Sequence, residues 1–83
     1  MQSPDLHKEA ELLKAVAHEN RLRILGCLLV RPACVCELMD ATGLYQPCVS
    51  RHLRILRHLG LVRDQREAQW VVYSVPRFPK GSA

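Results

Sequence analysis

Aromatic side chains are scarce in this 83-residue sequence, which holds one Trp, two Tyr and one Phe. Its core must therefore come mainly from Leu, Val, Ile and Ala, a composition that suits packed helices better than a sheet sandwich. No stretch approaches the roughly 20 apolar residues needed to span a bilayer. The opening MQSPDLHKEAELL has neither the basic start nor the apolar run of a signal peptide. A cytoplasmic chain is expected, and its four cysteines are thiols rather than a disulfide framework. Cys-x-x-Cys spacing is missing, as is any cluster of acid and base residues, which argues against a thiol oxidoreductase and against enzymes in general. Repeats and low-complexity segments are also missing, and the length allows one small domain, 1–83, with 76–83 as an irregular tail.

Acid is missing where base is concentrated. Between positions 41 and 63 stand Arg51, Arg54, Arg57 and Arg63 with no Asp or Glu, whereas the first 19 residues carry Asp5, Glu9, Glu11 and Glu19. The net charge is +4, and its bias toward the second half points to a polyanionic partner, nucleic acid before an acidic membrane surface.

The apolar pattern divides the chain into four helices and a hairpin. Ser3-Pro4 opens a first helix with Leu6, Ala10, Leu13 and Ala17 at helical spacing, widened by Leu12 and Val16. HENRLRILGCLLVRP predicts a second, with Leu22, Leu25, Leu28 and Leu29 as its apolar side, Pro32 as its stop and Gly26 admitting a close neighbour. A short third helix is expected over 33–42, closed by Gly43. After Leu44 and Tyr45, QPCVSRHLRILRHLG gives a fourth, with Val49, Leu53, Leu56 and Leu59 inward and Gly60 as terminator. Two short helices around a tight turn make a helix-turn-helix candidate. From there the period changes to two, and 61–67 and 68–75 read as paired strands turning near Glu67 and Ala68, a wing beside the fourth helix. The expected class is mainly α with a small β-hairpin, a winged helix-turn-helix.

The outer side of the fourth helix carries Gln46, Ser50, Arg51, Arg54 and Arg57. Gln can pair with adenine edges, Arg with guanine, and Ser with bases or phosphate, so this helix is equipped to read DNA.

VAHENRLRIL, then ATGL, then QPCVSRHLRILRHLGLV, then REAQWVVYSV resemble successive landmarks of the ArsR/SmtB family of bacterial winged-helix metalloregulators, over about 12–75. The resemblance implies a homodimeric repressor that occupies a palindromic operator and leaves it when an inducer binds. It places Gln46, Ser50, Arg51 and His52 nearest DNA and Arg66 at the wing tip. Tyr45 stands where the family often has Ser, and Ala68 replaces a common wing Gly, implying a wider or strained turn. The family commonly continues into a fifth helix that shares the dimer interface. This sequence stops eight residues after Val75, so that helix is expected to be short or absent, its zinc site missing, and the dimer weaker and held mainly by the first helix.

CVCEL, with Cys34 and Cys36, resembles the Cys-Val-Cys-Asp-Leu motif of the arsenic-sensing and cadmium/lead-sensing branches. Two soft thiolates suit As(III), Sb(III), Cd(II) or Pb(II) better than hard cations. Alternatively, both are small packing residues. Residues two apart on an ideal helix point about 200° apart, so joint binding would have to distort the first turn. From there the distortion would pass through the Gly43 turn to the fourth helix and release DNA. Where the arsenic branch often places a third Cys, this chain has Met39. Cys48, His7 of the partner subunit or an exogenous thiol remain as third ligands, and a two-coordinate site remains open as well. Cys48 otherwise fills a small-residue position and Cys27 a packing one. A thiol redox-sensing regulator is the alternative reading of the pair.

Overall fold

The computed structural model describes residues 4–76. The Ser3 cap and the tail 77–83, with the question of a fifth helix, lie outside the described residues. Four helices and a hairpin follow in order: α1 (Pro4–Val16), α2 (Glu19–Val30), α3 (Val35–Thr42), α4 (Gln46–His58), β1 (Arg63–Glu67) and β2 (Trp70–Ser74). Among the described residues no helix is long and apolar enough to cross a membrane.

Helices α2, α3 and α4 pack on one another around Ile24, Leu28, Leu38, Val49, Leu53 and Leu56, all nearly inaccessible to solvent. Three of these are the inward stripe expected on α4, with Leu59 half-buried at its end. On α2 the expected stripe is corrected. Ile24 and Leu28, four residues apart, face the core, whereas Leu22 and Leu29 are 52% and 69% exposed. Gly26 faces open space, since a Cβ there would meet nothing within 4 Å, so no close neighbour explains it.

Glycines end α3 and α4 in different ways. Gly43, at φ 76, donates its N–H to the Met39 carbonyl at 2.8 Å. Gly60, at φ 80, donates to Arg57 at 3.0 Å while Leu61 donates to Leu56 at 2.9 Å, the paired bonds of a Schellman closure. Thr42, the last residue of α3, is buried, its hydroxyl donating to the Leu38 carbonyl and accepting from the Leu44 amide.

Helix α3 begins two residues later than the sequence pattern predicts. Ala33 is not helical because its backbone is engaged elsewhere: its N–H donates to the Tyr73 carbonyl at 2.9 Å and its carbonyl accepts from the Tyr73 N–H at 2.8 Å. This bridge fixes β2 to the entrance of α3, and β2 packs on α2 and α3. Arg57 of α4 reaches β1 through an exposed ion pair with Asp64 at 3.4 Å.

The strands pair antiparallel from Arg63 with Ser74 to Glu67 with Trp70, leaving a two-residue turn of Ala68 and Gln69. The turn is tight rather than wide, and Ala68 adopts a left-handed φ of 58°. Such turns favour glycine because Cβ crowds the backbone at positive φ.

His52 points inward, at 7% exposure. Its Nδ1 accepts from Arg21 Nε at 3.2 Å, and its ring meets that of His18 edge-on with centroids 4.7 Å apart. Burial, reinforced by His18, Arg21 and Arg51, holds its pKa below the ordinary 6.5.

Three stability outcomes follow from these environments. Gly26→Ala, on an open helix surface, should raise stability by about 1 kcal/mol, read as the urea midpoint. Ala68→Gly should stabilise by about 1 kcal/mol by relieving the left-handed alanine, and an unchanged midpoint would refute strain in that turn. For His52 the lowered folded pKa means that the unfolded chain takes up the proton first as pH falls. Its contribution is complete above the ordinary value of 6.5 and declines as pH drops below it toward the folded value. The urea midpoint should therefore fall between about pH 7 and about pH 5, and fall less in His52→Gln.

Candidate functional site

Pro47 sits in the first turn of α4, after an extended Tyr45 at the N-cap, so the helix starts abruptly at the end of the short connection from α3. With Val49, Leu53 and Leu56 turned inward, the helical period sends Gln46, Arg51, Arg54 and Arg57 to the surface and leaves Ser50 half-buried. Tyr45, 82% exposed, stands at the head of this face. The four polar residues Gln46, Ser50, Arg51 and Arg54 thus share a side of the helix. Arg66 lies apart from them on β1, exposed and one residue from the end of the strand.

His52 is the residue that the structure separates from this group. Its position matches the expected DNA-contacting set, but the ring is buried between α2 and α4 and engaged by Arg21. Its geometry makes it a support that locks α4 onto α2. Arg21 was not singled out by sequence reasoning. Only the pairing across 31 positions marks it, a distance that helical period cannot bridge.

The two cysteines of the CVC motif sit at the entrance of α3. Cys34 is its N-cap, in extended conformation at φ −90° and ψ 173°, and Cys36 is exposed in the first turn. This corrects the expectation that both residues are helical, and with it the 200° divergence that would force the turn to unwind. Glu37 accepts the Cys34 N–H on Oε1 at 3.0 Å. That backbone hydrogen bond, with further contact from Cys34 and the charge of Arg31, holds the Glu37 carboxyl below the usual carboxylate range. Its negative charge is thereby favoured beside the thiols.

Cys34, Cys36 and Glu37 form one wall of an open cleft whose other wall is the wing, through Glu67, Ala68, Trp70 and Val72. Cys48 is not brought to this cleft. It lies half-buried in a separate depression with His18, Arg21, Pro47 and Arg51. Met39, at the position of the missing third thiol, packs against the core, as does half-buried Cys27. Among the described residues no three His, Cys, Asp or Glu side chains are gathered as a metal site. The structure therefore offers a dithiol backed by the wing.

The family described as "Bacterial regulatory protein, arsR family" matches residues 18–64. Over 72 residues the chain is 42% identical to the arsenic resistance transcriptional regulator ArsR1 of Pseudomonas putida, covering 83% of this chain and 56% of that protein. Over 75 residues it is 40% identical to the arsenical resistance operon repressor of Escherichia coli K12, covering 88% of this chain and 64% of that one. The chain thus spans less than two thirds of the length of these relatives. Among solved structures, HlyU from Vibrio cholerae superposes with a TM-score of 0.84 at 41% identity, covering 92% of this chain and 83% of that one. The homodimeric winged helix-turn-helix DNA-binding domain of Mb0332 from Mycobacterium bovis gives 0.80 at 32% identity, over 89% of this chain and 72% of that one. A matching family profile over more than half the sequence, joined to this helix order and wing, shows that the chain belongs to the ArsR family of bacterial regulatory proteins and has its winged helix-turn-helix fold.

Proposed function

We propose that this protein is a DNA-binding repressor that occupies a palindromic operator as a homodimer and leaves it when a thiophilic ion binds Cys34 and Cys36. The observation that carries this reading is the position of the thiol pair. Cys34 directly follows Ala33, whose two backbone hydrogen bonds hold Tyr73 of the wing. A ligand that pulls Cys34 toward Cys36 thus acts on the junction between α3 and β2, and the wing carries Arg66. This route to DNA is shorter than one through the Gly43 turn.

DNA contact falls to Gln46, Ser50, Arg51 and Arg54 in the major groove, with Arg66 on the flanking backbone. His52 serves the face indirectly by fixing the angle of α4 on α2. Dimerisation is needed to match two half-sites about 34 Å apart. The apolar side of α1 supports it, since Leu6 and Leu13 are 51% and 67% exposed while, among its described side chains, Leu12 and Val16 turn partly inward. As(III) or Sb(III) is the proposed inducer, with Cd(II) or Pb(II) as alternatives. The donor type and the names of the two arsenic-resistance relatives support the former.

The test is fluorescence anisotropy of the reduced protein on a palindromic operator fragment, with and without arsenite. Operator affinity should fall by more than about tenfold, a coupling above roughly 1.4 kcal/mol. Cys34→Ser/Cys36→Ser should bind the operator as well as the parent and ignore arsenite. Equal release from parent and double variant would remove the pair from the mechanism.

A further inference from the structure

The N-terminal halves of α2 and α4 meet over a depression to which neither the thiol pair nor the wing contributes. Two imidazoles in its lining have their tautomers fixed from behind. His18, the N-cap of α2, accepts the Asn20 N–H on Nδ1 at 3.2 Å, and His52 accepts Arg21 Nε on Nδ1 at 3.2 Å. A neutral imidazole that accepts on one nitrogen carries its proton on the other, so each ring presents an Nε2–H. His52 is only 7% exposed, and its Nε2 has no hydrogen-bond partner among the described residues. No described side-chain nitrogen that is sealed from solvent lacks a partner, so this Nε2 keeps an opening, and the depression is the opening that His52 lines. Arg21 spends only Nε on His52, and Arg51 brings a second guanidinium from α4. The charges of His18, Arg21 and Arg51 all bear on the His52 ring. Neither arginine is ion-paired among the described residues, and no Asp or Glu lines the depression, since Glu19 is exposed outside it.

Donors thus gather from two helices with positive charge among them, and the ligand that suits them has a negative charge and several acceptor oxygens. Arg51 identifies its source. It also belongs to the outer side of α4 with Gln46, Ser50 and Arg54, so the depression borders that face on its α2 flank. Arg51 and Arg57 lie about 120° apart around the axis, and Arg57 joins the other flank to the wing through Asp64. A helix in the major groove has a phosphate strand along each flank, and such phosphates fix the register of a protein on the duplex. We infer that the depression holds one backbone phosphate of bound DNA on the flank of α4 away from the wing, a proposal that rests on the reading of α4 as the DNA-contacting helix. His18 and His52 donate to that phosphate through Nε2, and Arg21 and Arg51 through their guanidinium groups. His18 and Arg21 thereby join the DNA contacts from outside the helix-turn-helix. His52 gains a second task, because the bond from Arg21 that orients α4 on α2 also leaves the Nε2 proton free for the phosphate. One side chain then sets the position of α4 against its own domain and against the duplex.

The experiment walks a single methylphosphonate, which removes one backbone charge, along one half-site of the palindromic operator fragment, and reads the affinity of the full reduced chain by fluorescence anisotropy. Each variant is compared with itself on modified and unmodified DNA, so any change in its stability cancels. At one phosphate the parent should lose about tenfold, the scale of hydrogen bonds to a charged group. Arg66→Ala, on the wing, should keep that loss. His18→Asn retains a capping side chain for α2 and removes the imidazole donor, and should cut the loss at that phosphate to about threefold or less. His18→Asp also retains the cap but sets a carboxylate beside the phosphate. It should weaken binding to the unmodified duplex, and the methylphosphonate at that position should then cost nothing. The weakening by His18→Asn should be equal on the operator and on an unrelated duplex, since a phosphate carries no sequence. Losses identical in the parent, His18→Asn and His18→Asp at every position, or weakening confined to the operator, overturn the phosphate site and leave the outer side of α4 as the DNA reader. A parent that binds neither duplex overturns both.

Discussion

Two hydrogen bonds between Ala33 and Tyr73 decide where the helical and the extended halves of this protein meet. A two-stranded hairpin is at best marginally stable alone, so the wing needs a surface, and this bridge registers β2 against the chain just before α3. The same bonds withdraw Ala33 from the helix, which moves the N-cap to Cys34 and sets Glu37 in place to accept its amide. The position of the wing and the exposure of the thiol pair are therefore one constraint seen from two sides. The Ala33 carbonyl that accepts from Tyr73 and the Cys34 N–H that donates to Glu37 lie in one peptide plane, so the bridge and the N-cap of α3 are fixed together.

A second constraint fixes α4. Its inner side is a strip of Val49, Leu53 and Leu56 with no access to water, and burial of this kind contributes roughly 1.5 to 3 kcal/mol per side chain. Apolar packing alone tolerates some rotation. The Arg21 to His52 hydrogen bond is directional and sits beside the strip, so it restricts the helix to one orientation about its axis. The outward set of Gln46, Ser50, Arg51 and Arg54 is presented as a consequence of what is held inside. Charge follows the same logic: the acid-free stretch leaves these arginines without nearby carboxylate partners on their own helix, while Arg57, further along, is taken by Asp64 of the wing.

Much of this arrangement was legible in the sequence. The four helices, the Gly43 and Gly60 closures, the inward stripe of α4 and the change to a two-residue period all follow from local rules, because each is set by residues within one or two turns of each other. The resemblance of VSRHLRILRHLGLV to a family landmark was equally open to reading, and the family match over 18–64 agrees with it. The misreadings share a cause. The stripe of α2 was placed on its leucines, but Leu22 and Leu29 lie outside and Ile24 inside, because which of two overlapping apolar faces is buried depends on where α3 and α4 approach. The family resemblance sets His52 nearest DNA, whereas its ring is buried against α2, and no local signal names Arg21 as its partner.

What the sequence determined by itself is therefore the set of elements, the glycine closures of α3 and α4 and the chemistry on the outer side of α4, for these depend on spacing along a single chain segment. Only the tertiary structure decided that Ala33 belongs with Tyr73, that His52 belongs with Arg21, and that the thiols face Trp70 while Cys48 does not. Those pairings join residues more than 30 positions apart, and contacts at that separation arise from packing the elements together rather than from the preference of any one of them.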